Sequence, residues 1–83
     1  MSATPNLIPG THNLDTFLDK RLLIWLRDDR RLYGILRSFD HFQNLVLQDT
    51  YERWYLDLEF CEEYRGVYLV RGENVVMVGE LVK

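Results

Sequence analysis

With 83 residues and a net charge of −3, from ten Lys and Arg against thirteen Asp and Glu, the chain has room for one small domain. Cys61 is its only cysteine, which excludes an internal disulfide and leaves no Cys/His spacing for a structural zinc site. The charge does not suggest a surface that grips a phosphate backbone throughout, so a nucleic-acid role has to rest on a local site.

A domain of this size buries only about 60% of the surface its unfolded chain exposes. It needs an efficient core or help from partner subunits. The single thiol fits a reducing compartment.

The first ten residues, "MSATPNLIPG", carry Pro5 and Pro9-Gly10 and are expected to be irregular (1–10), with a single domain over 11–83. They contain no basic stretch followed by an apolar core, and no apolar run reaches the ~18 residues of a membrane span. No signal peptide and no membrane association are expected, which leaves the cytoplasm or nucleus. "THNLDTFLDK" offers Thr11 or Asn13 as an N-cap, with Leu14, Phe17 and Leu18 at i, i+3, i+4. This spacing predicts an amphipathic helix of about two turns, too short to stand alone.

Short β-like runs follow: "RLLIWLR", a polar turn "DDR", "RLYGILRSF", a polar break, "NLVLQDTYERWY", an acidic loop "DLEFCEEYR", "GVYLV", "RGEN" and "VVMVGELV". Five strands with short connections behind one small helix predict a mainly β fold, a small antiparallel barrel or sandwich. Gly34 in mid-strand predicts a bend or bulge.

The last two strands, with Val67, Tyr68, Leu69, Val70 in one and Val75, Val76, Met77, Val78 in the other, are apolar without alternation. Both of their faces should therefore be covered. An apolar edge of this kind aggregates unless it is paired or shielded. Either a neighbouring subunit pairs with it, in a head-to-tail contact that closes into a ring, or the helix covers it.

Catalysis finds little support. His12 lies beside the helix cap and His41 has no nucleophile near it in sequence; no HExxH, GxSxG, P-loop or CxxC is present. Glu59, Glu62 and Glu63 fit a solvated loop. The chain is expected to be no enzyme and to need no metal or cofactor.

Two polar interruptions remain. In "FDHFQN", Asp40, Phe42 and Asn44 alternate, which on an extended or gently turning backbone points them to one side. Phe42 could stack on an unpaired base, Asn44 could read its edge, and Asp40 could hold the Asn44 amide in place. The same residues also suit a plain turn, with Phe42 folded into the core. In "RGEN", Gly72 permits positive φ or close approach, and Arg71 could stack on a base or meet a phosphate; a hairpin turn fits equally well.

Taken together, Gly34, Phe39-Asp40, Phe42, Asn44 and Leu45, followed by "RGENVVMVGE", resemble the paired signature of the Sm and Sm-like (Lsm) family. The resemblance covers the chain from Asn13 to Val82. It implies the Sm fold, an N-terminal α-helix on a strongly bent, five-stranded, SH3-like open barrel. It also implies rings of six or seven subunits, joined between the fourth and fifth strands.

RNA is bound at the inner rim of such rings. Carried to this chain, Phe42 would stack on a base, Asn44 would bond its edge, Asp40 would orient Asn44, and Arg71 with Gly72 would close the slot. Within the family the motifs are most similar to the subunit that distinguishes the cytoplasmic ring. That likeness implies single-stranded RNA, other Lsm subunits and a Pat-type decapping activator as partners, with no DNA, and mRNA decapping and decay in P-bodies as the process. A subunit of a nuclear snRNP ring, or an SH3-like protein-interaction module without RNA, are the alternatives.

Overall fold

The structure, a computed structural model, describes residues 2–7 and 14–82. Six strands form one antiparallel sheet: β1 (Ser2–Leu7), β2 (Arg21–Leu26), β3 (Arg31–Phe39), β4 (Leu45–Leu56), β5 (Glu59–Val70) and β6 (Val75–Val82). Their spatial order is β1-β6-β2-β3-β4-β5.

Alternation builds the core. Leu22, Ile24 and Leu26 point inward from β2 and Leu32 and Leu36 from β3. Leu45 and Leu47 of β4, Val70 of β5 and Val78 of β6 meet them, and each buried aliphatic side chain contributes about 1.5–3 kcal/mol. The long middle strands bend through register shifts: β3 against β4 slips between Tyr33 and Ile35 and between Leu36 and Ser38. The bend expected at Gly34 is therefore present. A Cβ there would lie 2.8 Å from Thr50 Oγ1 and 3.3 Å from the Thr50 Cα, so only a glycine lets β4 come this close.

The expected two-turn helix is a single 3₁₀ turn, Leu14–Phe17. Its bonds run i to i−3, from Leu18 N–H to Asp15 O and from Lys20 N–H to Phe17 O. Asp19 then turns to φ 64°, which ends any helix, and donates its N–H to Leu36 O of β3. Leu14 and Phe17 are buried and Leu18 packs against the core, so the apolar face is the expected one and the element is shorter than expected. The proposed caps Thr11 and Asn13, and His12, lie outside the described residues.

Residues 2–7 are not irregular. They form β1, paired with β6 from Ser2 opposite Val82 to Leu7 opposite Met77. Pro5 is compatible because β1 is an edge strand, where a missing N–H is tolerated.

The acidic segment expected as a loop is also strand. β4 and β5 run on as a long hairpin that turns at Asp57-Leu58, with Asp57 at φ 55°. Cross-strand side chains hold its outer half. Arg53 pairs with Glu62 at 2.6 Å, Tyr51 packs edge-on against Tyr64, and Tyr55 faces Phe60 with ring centroids 6.0 Å apart. The Arg31 guanidinium sits 4.6 Å from the Trp25 ring and 4.9 Å from Tyr55, while Arg53 sits 4.8 Å from Tyr33 and 4.7 Å from Phe60. These stacked cations and rings replace the ordinary apolar alternation of a strand.

Candidate nucleic-acid interface

Between β3 and β4, residues 40–44 form a tight turn, not an extended run, with Gln43 at φ 61°. Asp40, Phe42 and Asn44 consequently do not point one way. Asp40 turns back under the loop: Oδ1 accepts the Phe42 N–H (2.9 Å) and the Asn44 N–H (3.0 Å), and Oδ2 accepts from Asn44 Nδ2 (2.9 Å). Phe39 packs on the core, whereas Phe42 projects into solvent with 81% of its surface exposed. The reading that folds Phe42 into the core is excluded.

The second turn, a 3₁₀ turn over Gly72–Asn74 between β5 and β6, packs directly on the first. Gly72 donates its N–H to Asn44 Oδ1 at 2.8 Å. Gly72 is not among the residues with positive φ; glycine is needed here for space. A Cβ on it would fall 2.2 Å from the Phe42 carbonyl oxygen and 2.8 Å from that of Gln43. The backbone that approaches Gly72 so closely is the chain's own first turn.

The Asn44 amide is thereby fixed at both ends, and its orientation is set by chemistry: reversed, its oxygen would face a carboxylate and its NH₂ a backbone N–H. One N–H and one oxygen lone pair remain for a ligand. These groups open on a cleft of about 520 Å³ lined by Phe42, Gln43, Asn44, Arg71, Gly72 and Glu73. It presents a free aromatic face, a fixed donor–acceptor pair and a guanidinium.

Four of the five expected site residues line this cleft, and Asp40 supports it from beneath. Gln43 and Glu73 line it too and were missed, as was Arg27. Arg27 donates from Nε to Glu73 O (2.6 Å) and from its backbone to Asn74 O (2.9 Å), fastening the second turn to the end of β2. Arg71 lies 3.6 Å from the Glu73 carboxylate with both side chains well exposed, a contact that leaves the guanidinium available.

The bond from the Asn44 side chain, then that from its backbone, holds the Asp40 carboxyl below the ordinary carboxylate range. A lowered folded value means the carboxylate network is intact above the ordinary Asp pKa of about 3.9 and fails as pH falls through the lowered value. The Asn44 Nδ2 proton resonances are therefore expected to stay shifted and unchanged in an NMR titration from pH 7 to about 4. Loss of that shift near pH 6 would contradict the arrangement.

The eight residues expected at subunit contacts divide. Tyr68, Val70, Val75 and Val78 face the core; Val67, Leu69 and Val76 are exposed; Met77 is half-buried. The apolar runs are uniform because one side packs inside while the other is left open. β5 has a free outer edge among the described residues, as expected, but β6 does not, because β1 lies on it.

Residues 12–80 match the LSM domain model. The chain belongs to the Sm-like (Lsm) family. It is 49% identical over 83 residues to the lsm1 subunit of the LSM1-LSM7 complex of Schizosaccharomyces pombe, covering 98% of this chain and 59% of that protein. The chain thus spans about three fifths of that relative's length. To the lsm8 subunit of the LSM2-LSM8 complex of the same yeast it is 43% identical over 68 residues, covering 81% of this chain and 72% of that one. Within the Lsm family the likeness to the Lsm1 type is greater.

The fold matches the crystal structure of a heptameric archaeal Sm protein with a TM-score of 0.68 at 39% identity, over 83% of this chain and 96% of that one. The Sm fold is thus established, with β2 to β6 as its bent five-stranded sheet.

Proposed function

We propose that the chain is a non-catalytic, RNA-binding subunit of a seven-membered Lsm ring of the cytoplasmic type. It holds single-stranded RNA near the 3′ end of U-rich or oligoadenylated mRNA and so promotes decapping and 5′–3′ decay, with a Pat-type activator and other Lsm subunits as partners, in P-bodies. The observation that carries this reading is the fully presented Phe42 ring beside an Asn44 amide fixed at both ends. A base stacked on Phe42 places its edge against the remaining Asn44 donor and acceptor, and Arg71 lies across the cleft for the second face or a phosphate. A net charge of −3 suits such a slot, which depends on stacking and edge recognition more than on backbone charge.

Ring contacts would run between the free edge of β5, with Val67 and Leu69 exposed at 71% and 69%, and β6 of the next subunit. The cytoplasmic type is preferred to the nuclear one because identity to the Lsm1 relative is higher and extends over more of the chain.

Phe42→Ala is expected to weaken binding of oligouridine by the assembled chain roughly 5- to 150-fold, the worth of one base–aromatic stack. Fluorescence anisotropy at fixed salt measures it. Unchanged affinity, with an unchanged set of copurifying proteins, would establish the protein-interaction module instead.

A further inference from the structure

We propose that β1 is a displaceable cap on the assembly edge of the chain, holding the free subunit in a form that cannot close a ring until β1 leaves. The inference rests on the ring reading above and adds a gate to it.

A head-to-tail ring needs two open sheet edges per subunit, one to give and one to receive. Here they are unequal. β5 ends the sheet on one side with its outer backbone groups unpaired among the described residues and apolar side chains exposed along it. β6, the strand that would receive β5 of a neighbour, is already flanked on both sides: β2 pairs with one edge and β1 with the other. An incoming strand and β1 would use the same N–H and C=O groups of β6, so the two states exclude each other.

Three features make β1 a temporary occupant. It is six residues long, whereas β5 is a 12-residue strand able to offer a longer ladder. Among the described residues it covers β6 from Met77 to Val82. Among the described residues no strand pairs with Val75 or Val76 on that side, and Val76, with 44% of its surface exposed, gives an arriving strand a place to begin displacement.

As part of the same chain, β1 also competes at an effective concentration on the order of millimolar. The cap thus hides an apolar edge in the free subunit, where it would otherwise template aggregation, yet yields to a partner that gains a longer ladder. Affinity for the ring is reduced by the fraction of chains that are uncapped.

The test compares three proteins in titrations with the Lsm subunits that copurify with the full chain, read by native mass spectrometry and sedimentation. They are the full chain, the chain lacking residues 2–7, and a locked form. The lock is Thr4→Cys with Glu80→Cys, which face each other across the β1–β6 ladder, in a Cys61→Ser background.

Deletion is expected to lower the concentration at half-assembly about tenfold, the effect of a cap that is closed nine-tenths of the time. The oxidised lock is expected to block assembly, and reduction to restore it. Should the deletion precipitate, the lock and its reduction carry the test alone. If the full chain and the deletion assemble at equal concentrations, or the oxidised lock assembles as the reduced form does, the ring reading stands and the cap is overturned. If neither the full chain, the deletion nor the reduced lock enters a ring, the ring reading fails and the cap with it.

Discussion

Gly72→Ala is expected to abolish the proposed RNA slot as completely as removing Asn44 does, although the added methyl group points at no ligand. The Cβ would stand 2.2 Å from Phe42 O and 2.8 Å from Gln43 O, both backbone atoms that cannot rotate away. The two turns must part, which costs about 1–3 kcal/mol as overpacking of a closely fitted junction. Parting them removes the 2.8 Å bond from Gly72 N–H to Asn44 Oδ1, and with it one of the two anchors of the amide.

An Asn44 that turns freely no longer offers its donor and acceptor in fixed order, so affinity for oligouridine should fall at least tenfold, the worth of about 1.4 kcal/mol. Because Gly72→Ala acts through Asn44, the double variant with Asn44→Ala should bind no worse than the weaker single variant. Strict additivity in that cycle, measured by anisotropy on assembled chains, would show that Gly72 acts by another route.

This dependence of one turn on the other explains what could be read from the chain. β3 and β6 were bounded correctly from "RLYGILRSF" and "VVMVGELV", since each is an apolar run between turn signals. The first turn is legible as one of a pair of polar breaks that together carry a family signature, because Asp40, Phe42 and Asn44 act through their side-chain types.

Gln43, Glu73 and Arg27 were not legible. Gln43 and Glu73 line the cleft because of where the backbone turns, and Arg27 acts by bonding two backbone oxygens. No residue type announces that role. For Gly72 the sequence offers both conformational freedom and close approach, and only the placement of the opposing carbonyls shows that space is the requirement.

The missed strands have a common cause. β1 contains proline, and the outer half of β5 carries "EFCEEYR", so neither shows the apolar alternation that marks a half-buried strand. The first is held by its backbone ladder on β6. The second is held by cross-strand partners from β4 and by arginines stacked on rings, contacts between residues that sequence proximity does not connect.

That same hairpin holds the one charged side chain buried among the described residues, and its disruption should give the largest loss of stability. Glu52 of β4 is 2% exposed, and both carboxylate oxygens are occupied. Arg30, at the β2–β3 turn, donates to Oε2 through Nη1; Arg65 of β5 donates to Oε1 through Nε at 3.0 Å, with its Nη2 in ion-pair contact at 2.8 Å. Asp28 at 2.7 Å and Glu63 at 3.3 Å hold the two arginines from their outer sides.

The two halves of this triad are unequal, because the arginines are part-exposed and can hydrate if abandoned, whereas Glu52 cannot. Removing both cations with Arg30→Ala and Arg65→Ala leaves a buried, uncompensated carboxylate and should cost about 3–5 kcal/mol. In a domain of this size 3 kcal/mol corresponds to a fall of roughly 12–24 °C in Tm. Glu52→Gln keeps the shape and some hydrogen bonding and should cost nearer 1 kcal/mol.

Thermal unfolding of the three proteins decides the matter; equal losses would mean that the arginines matter as packing and not as counter-ions. The triad lines a separate cleft with Trp54 and Tyr55, away from the Phe42 turn. The double arginine variant, held well below its lowered Tm, should therefore bind oligouridine as the unaltered chain does, while Gly72→Ala at the same temperature should not. A parallel fall in both would place the proposed RNA slot under the control of the hairpin that the triad anchors.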